Sequence, residues 1–182
     1  MSDKYKIRDE RQLYFLSFAT VNWVDVFTRR LYCDIVVDSL RYCVAHKGLE
    51  LYAYVIMTNH LHLIVGSETG QLGGIIRDLK RHTAKQLLAA IAGNQQESRR
   101  AWLLWMFERA GQCKAGNEQY QFWQPGSHPV ELGTNFLQRQ KLDYLHRNPV
   151  EAGFVALPEE FLYSSARNYA GLPAVLPVSL MY

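Results

Sequence analysis

Residues 49–65 read LELYAYVIMTNHLHLIV, and this stretch decides the fold. Two apolar runs rich in aromatic and β-branched residues, 49–57 and 60–65, flank Thr58 and Asn59. Runs of that length and composition read as strands, and the turn residues between them make a hairpin. His60 and His62 stand two apart in the second run. Alternate residues of a strand share a face, roughly 7 Å apart. The two imidazoles therefore project together, and Leu61 projects the other way.

Elements on either side extend the pattern. Residues 13–21 (LYFLSFATV) read as a first strand. Residues 29–46 carry Leu31, Ile35, Val36, Leu40, Cys43 and Val44 near a 3.6 period, which predicts a helix, with Lys47 and Gly48 as its stop. A second helix is expected over about 72–92, after Gly70 and Gly73-Gly74. Ile75, Ile76, Leu79, Ala84, Leu87 and Leu88 form its apolar side, and Gly93 ends it. Residues 102–107 suggest a short helix followed by a polar loop over 111–118. Residues 120–124 and 129–132 suggest short strands around Pro125-Gly126-Ser127. Thr134 or Asn135 can cap a third major helix over about 136–147, with Pro149 expected just past its end. The order β-α-β-β-α-β predicts an α+β, ferredoxin-like split βαβ domain. In it an antiparallel sheet carries helices on one face, and a further C-terminal helix bears Tyr144. The whole chain reads as one domain with a core of about 12–170 and an irregular tail from 171.

Composition narrows the class. A chain that is 48% hydrophobic and 20% charged can bury a substantial core. A net charge of +3 gives no strong overall field, so a nucleic-acid partner would need a local basic patch. Three cysteines without C-x-x-C spacing argue against a disulfide framework or structural zinc and suit a reducing cytoplasm. The first residues are charged and lack an apolar run, unlike a secretory signal. Every apolar stretch is interrupted before 18 residues, so no membrane span is expected.

Two separated groups carry chemistry. His60 and His62 on one strand face can share a divalent cation. With six histidines in 182 residues, chance gives about 0.2 such pairs, so spacing alone leaves a coincidental pair open. Two polar rings on so apolar a strand nevertheless need a partner. Tyr144 and Asn148 lie one helical turn apart, about 5–6 Å at Cβ. The amide oxygen can serve as a third ligand for a hard cation, with the phenol beside it. Otherwise Asn148 ends the helix before Pro149 and Tyr144 packs. Arg77, Lys80 or Arg81, and Lys85 recur at helical spacing, as a phosphate-binding stripe or a solvated polar face. Trp123 could stack on an unpaired base or pack in the core.

Five stretches taken in order carry a resemblance: 57–65 (MTNHLHLIV), 77–85 (RDLKRHTAK), 122–129 (FWQPGSHP), 141–153 (KLDYLHRNPVEAG) and 163–169 (YSSARNY). Over about 12–170 the chain resembles the single-tyrosine HUH transposases, and more narrowly the REP-associated tyrosine transposases of bacteria. Residues 94–119 match nothing specific. The resemblance implies that His60, His62 and Asn148 hold a divalent metal and that Tyr144 is the nucleophile. The third ligand is commonly Gln in the best-known branch, and the shorter Asn is usual in the REP-associated group.

The activity so implied is metal-dependent cleavage and rejoining of single-stranded DNA through a 5′-phosphotyrosine, with Mg²⁺ or Mn²⁺ as cofactor. The expected substrate has hairpin-forming ends, bound along Arg77, Lys80, Arg81 and Lys85. The competing functions are a domesticated hairpin or single-strand binder without transposition, and a metal-dependent hydrolase that uses water. Relatives are often dimers, so a homodimer is one expectation. Tyr144 then meets His60 and His62 either within one chain or across a two-fold interface.

Overall fold

The computed structural model describes residues 7–113 and 119–181. Among them the elements run β1 (Tyr14–Ala19), α1 (Arg30–Lys47), β2 (Leu49–Ile56), β3 (His60–Ser67), α2 (Leu72–Gly93), α3 (Arg100–Gln112), β4 (Val130–Glu131), α4 (Asn135–Glu151) and α5 (Ala166–Tyr169). Short 3₁₀ turns lie at Val21–Trp23 and Pro158–Glu160. The strands form one sheet in the order β2-β3-β1-β4, and every pairing is antiparallel. This is the ferredoxin-like α+β arrangement.

The β2–β3 hairpin closes where the Met57 N–H meets the His60 carbonyl at 2.8 Å. Its turn residues, Thr58 and Asn59, do not take positive φ. Their carbonyls instead accept from outside the hairpin, Thr58 from Phe27 N–H at 2.8 Å and Asn59 from Thr20 N–H at 2.9 Å. The turn is thereby fastened to the chain between β1 and α1. A register shift between Leu51 and Ala53 changes which face β2 presents. Leu49, Leu51, Tyr54 and Ile56 consequently enter one core, and Ala53 and Val55 enter the other.

Each face of the sheet has its own layer. On one, Leu16, Phe18, Leu61 and Leu63 pack against Val36 and Leu40 of α1, Ile76 and Leu79 of α2, and Leu103 of α3. On the other, Phe15, Ala53, Val55 and Ile64 pack against Leu142 and Leu145 of α4. Helices on one face thus describes α1 and α2, while α4 covers the opposite face.

Several local expectations are corrected. The buried side of α1 is Tyr32, Cys33, Val36, Val37, Leu40 and Cys43, and Leu31 and Val44 are exposed. Gly73 and Gly74 lie inside α2. The short helix expected at 102–107 is the centre of the longer α3, and residues 114–118 of the expected polar loop lie outside the described residues. Residues 120–124 make only a single bridge, Trp123 to Thr20, and the ladder resumes as the two-residue β4. Positive φ at Gly126 and His128 breaks the run between them.

Pro149 lies within α4, which continues to Glu151. A proline so near the end removes one helical hydrogen bond only, from its own missing N–H. The helix then stops on a glycine. Gly153 takes φ 76, its N–H meets Val150 O at 2.9 Å, and Phe154 N–H meets Pro149 O at 2.9 Å. That is the paired bonding of a Schellman end. At the other end Thr134 Oγ1 accepts from Leu137 N–H at 3.3 Å.

The free edge of β2 is covered by later chain. Ile56 N–H meets Tyr163 O at 3.0 Å, and Ser179 N–H meets Leu51 O at 3.0 Å. Residues 171–181 form neither helix nor strand, yet Leu176 is buried in the α1–α2 core. No helix among the described residues is long and apolar enough to cross a membrane. The three cysteines are free.

Glu97 fastens the start of α3 to α1. Its carboxylate meets Arg29 Nε at 2.9 Å, Arg99 Nε at 3.1 Å and the Tyr32 hydroxyl at 3.4 Å. Burial works against the charge, but the bonds from Arg99 and Arg29 outweigh it and hold the pKa at about 2. Glu97→Ala should lower unfolding free energy by about 2 kcal/mol in a denaturant titration. That is less than for a fully buried pair, because Arg29 and Arg99 are 39% and 35% exposed.

Candidate active site

Strand pairing positions the histidines. His60 and His62 lie opposite Ala19 and Ser17 of β1, and their rings meet at 4.8 Å, edge to face. His62 is 5% exposed and stacks on Phe15 at 5.0 Å. Neither of its nitrogens has a hydrogen-bond partner among the described residues. The Leu16 backbone is near enough to favour the protonated ring but does not meet it in hydrogen-bonding geometry. Burial, reinforced by His60 and Lys141, lowers the His62 pKa to about 3. The ring is therefore neutral at neutral pH. A buried polar group without a partner costs about 1–3 kcal/mol, so this ring is a standing invitation to a ligand.

His60 is oriented from behind. Its Nδ1 lies 2.7 Å from Asn59 Oδ1. The Asn59 amide nitrogen donates to Trp23 O at 3.2 Å and to Asp25 Oδ1 at 3.0 Å, so the amide oxygen faces the ring and Nδ1 carries the proton. Nε2 is left with its lone pair, as an outer partner arranges for a metal-binding histidine. Burial lowers the His60 pKa, and the adjacent Asn148 amide partly opposes this.

The α4 helix supplies the other half from the same chain. The Tyr144 ring lies 5.4 Å from His62 and 5.9 Å from Phe15, and is 44% exposed. Asn148, one turn on, lies close enough to His60 to favour its protonated ring. It does not end the helix, which runs on past it. The set His60, His62, Tyr144 and Asn148 thus assembles within one chain. Among the described residues no three His, Cys, Asp or Glu side chains cluster. A cation here would rest on two neutral imidazoles and the Asn148 amide oxygen. The partnerless His62 nitrogens and the His60 ring, with Asn148 beside it, fit that role.

Sequence reasoning missed two residues. Lys141 places Nζ 5.0 Å from the Phe15 ring and 5.4 Å from the Tyr144 ring. The signal was its position three residues before Tyr144, on the same helical face. His146 sits behind the site, with Nε2 2.9 Å from Ser165 Oγ. That hydroxyl also takes the Tyr54 N–H at 3.0 Å, so the YSSARNY stretch latches α4 to β2. Burial, only partly offset by Asp143, lowers the His146 pKa to about 4.

The basic residues of α2 divide. Arg81 and Lys85 line a groove of about 750 Å³ between α1 and α2. Arg77 and Lys80 line a hollow of about 510 Å³ beside Gly126 and Pro129. Lys80 donates to Gln124 O and Gly126 O, so it holds a loop. Arg81 pairs with Asp78 at 3.0 Å. All four belong to the layer opposite α4. Trp123 is a core residue, donating from Nε1 to Thr83 Oγ1 at 3.0 Å.

No family profile and no curated protein sequence matches the chain. One solved structure, of a REP-associated tyrosine transposase bound to a REP hairpin, superposes with a TM-score of 0.67 at 16% identity. The match covers 100% of this chain and 94% of that one. The chain has the fold of a REP-associated tyrosine transposase. A second structure, of a Deinococcus radiodurans R1 protein held to be a transposase, reaches a TM-score of 0.45 at 18% identity. It covers 81% of this chain and 96% of that one, and so low a score carries no weight.

Two buried neutral imidazoles make this transposase-like fold sensitive to acid. The folded pKa values of His62 and His146, about 3 and about 4, lie below the ordinary 6.5. Their contribution is intact above about pH 6.5. It is lost as the pH falls, because only the unfolded chain takes up the protons. His62→Phe should flatten stability against pH by about 1.4 kcal/mol per pH unit between about pH 6 and 4. An unchanged slope contradicts a buried neutral ring.

Proposed function

We propose that this chain cleaves and rejoins single-stranded DNA as a tyrosine transposase does, with Tyr144 as nucleophile. The observation that carries the reading is the Tyr144 ring beside His62, a buried imidazole whose nitrogens lack partners. The shared fold supports it. The REP hairpin in the related structure supports hairpin-forming DNA as the substrate.

In this reading the Tyr144 oxygen attacks the scissile phosphorus and the bond to the 3′ oxygen breaks. The leaving oxygen takes up a proton to become a 3′-OH, balancing the one lost by the phenol. The 5′ end stays on Tyr144 as a phosphodiester, so attack by a 3′-OH reverses the step and rejoins strands without a further energy source. A phenol has an ordinary pKa of about 10 and is a weak nucleophile near neutrality. Lys141, whose Nζ lies over the Tyr144 ring at 5.4 Å from its centre, offers a cation to the phosphate oxygens. Asn59 keeps His60 in the tautomer that leaves Nε2 its lone pair. A divalent ion held by His60, His62 and Asn148, Mg²⁺ or Mn²⁺, would supply Lewis-acid polarisation of the phosphate.

The test is a covalent adduct. The protein is incubated with single-stranded hairpin DNA and Mn²⁺ or Mg²⁺, then run on a denaturing gel. A shifted band is expected, lost in Tyr144→Phe and on chelation with EDTA. Cleavage that survives Tyr144→Phe assigns the attack to water and sinks the proposal. Binding with no cleavage makes the protein a binder. Lys141→Ala should slow adduct formation on the order of tenfold or more. A rate equal to wild type would remove Lys141 from the chemistry.

A further inference from the structure

The turn Val21–Trp23 brings an indole to the rim of the histidine pair. Trp23 is 56% exposed, and its ring meets His60 edge-on at 5.8 Å. Trp123, by contrast, is enclosed in the core with its nitrogen bonded. Trp23 and Asn22 both take φ 55, where a bulky residue is a genuine outlier and persists only when its surroundings hold it.

The backbone supplies that hold. Trp23 N–H meets Thr20 O at 3.1 Å, Trp23 O accepts from Asn59 Nδ2 at 3.2 Å, and Thr20 Oγ1 meets Val24 O at 2.8 Å. The Asn59 amide that fixes the Trp23 carbonyl also orients His60 through its oxygen. Platform and histidine are therefore one unit. Ring centres run from Trp23 to His60, His62 and Tyr144 in steps of 5.8, 4.8 and 5.4 Å. Lys141 stands at the far end.

We propose that Trp23 is a stacking platform for the unpaired nucleobase next to the scissile phosphate. The inference rests on the nuclease reading of the His60–Tyr144 site. An exposed indole face suits a base of any identity, since every base offers a π-face. The fold maintains an outlying backbone conformation to present the ring beside the histidines, where a strand engaging Tyr144 must pass.

The test measures fluorescence anisotropy with full-length protein carrying Tyr144→Phe, at low salt with Mn²⁺. The probes are single-stranded oligodeoxyadenylate and an abasic strand of equal length. Adding Trp23→Ala should weaken oligodeoxyadenylate binding on the order of tenfold and leave the abasic strand nearly unaffected. Trp23→Phe should retain most of the affinity. Trp23→Gly should lose binding like Trp23→Ala while raising the thermal midpoint, because glycine tolerates positive φ. Equal losses on both probes, unchanged affinity in Trp23→Ala, or a lowered midpoint in Trp23→Gly would overturn the platform. Normal strand binding by the Trp23 variants, with Tyr144-dependent cleavage intact in wild type, defeats stacking alone. Wild type that neither binds a strand nor forms an adduct defeats the nuclease reading and the platform with it.

Discussion

The packing of α4 across the β2–β3 face is the contact on which the site depends. Leu142 and Leu145 meet Phe15, Ala53, Val55 and Ile64 there. Each fully buried leucine contributes about 1.5–3 kcal/mol, enough together to keep the helix docked almost all the time. The Ser165–His146 bond sets where along β2 the helix lands. Tyr144 then falls beside His62 and Asn148 beside His60. Without that docking His62 would face water, and the reason for its neutrality would vanish.

The two faces of the sheet are built to different standards. The α1–α2 face is apolar and closely filled, with Leu61 and Leu63 of β3 contributing to it. The α4 face carries a buried imidazole without partners, an ammonium near it and an outlying turn at Asn22 and Trp23. Departures of this kind gather at sites that handle ligands. Of these, the turn is fastened to the histidine pair by Asn59, which serves His60, Trp23 and Asp25 at once.

The hairpin, its histidine spacing and the ferredoxin-like order were legible because strand alternation and turn residues are local signals. So was the pairing of Tyr144 with Asn148 on one helical face. Other features depend on what lies opposite. Leu31 and Val44 fit a helical period, but the sheet buries the neighbouring side of α1. Pro149 reads as a stop, and only the Gly153 ending explains why the helix passes it. Lys80 sits in a basic stripe, yet the loop at 124–126 offers it carbonyls. Lys141, His146 and Trp23 gain meaning from Phe15, Ser165 and His60, all distant in sequence.

One chain supplies both halves of the site, and mixing two inactive variants tests this most directly. Tyr144→Phe lacks the nucleophile and His62→Ala lacks an imidazole. If each chain builds its own site, combining them leaves covalent adduct formation absent at every ratio. If tyrosine and histidines meet across an interface, the mixture recovers adduct, carried by the His62→Ala chain. Absence of adduct in the mixture, with wild type active, is the result the α4 docking predicts. Its recovery would contradict the cis arrangement.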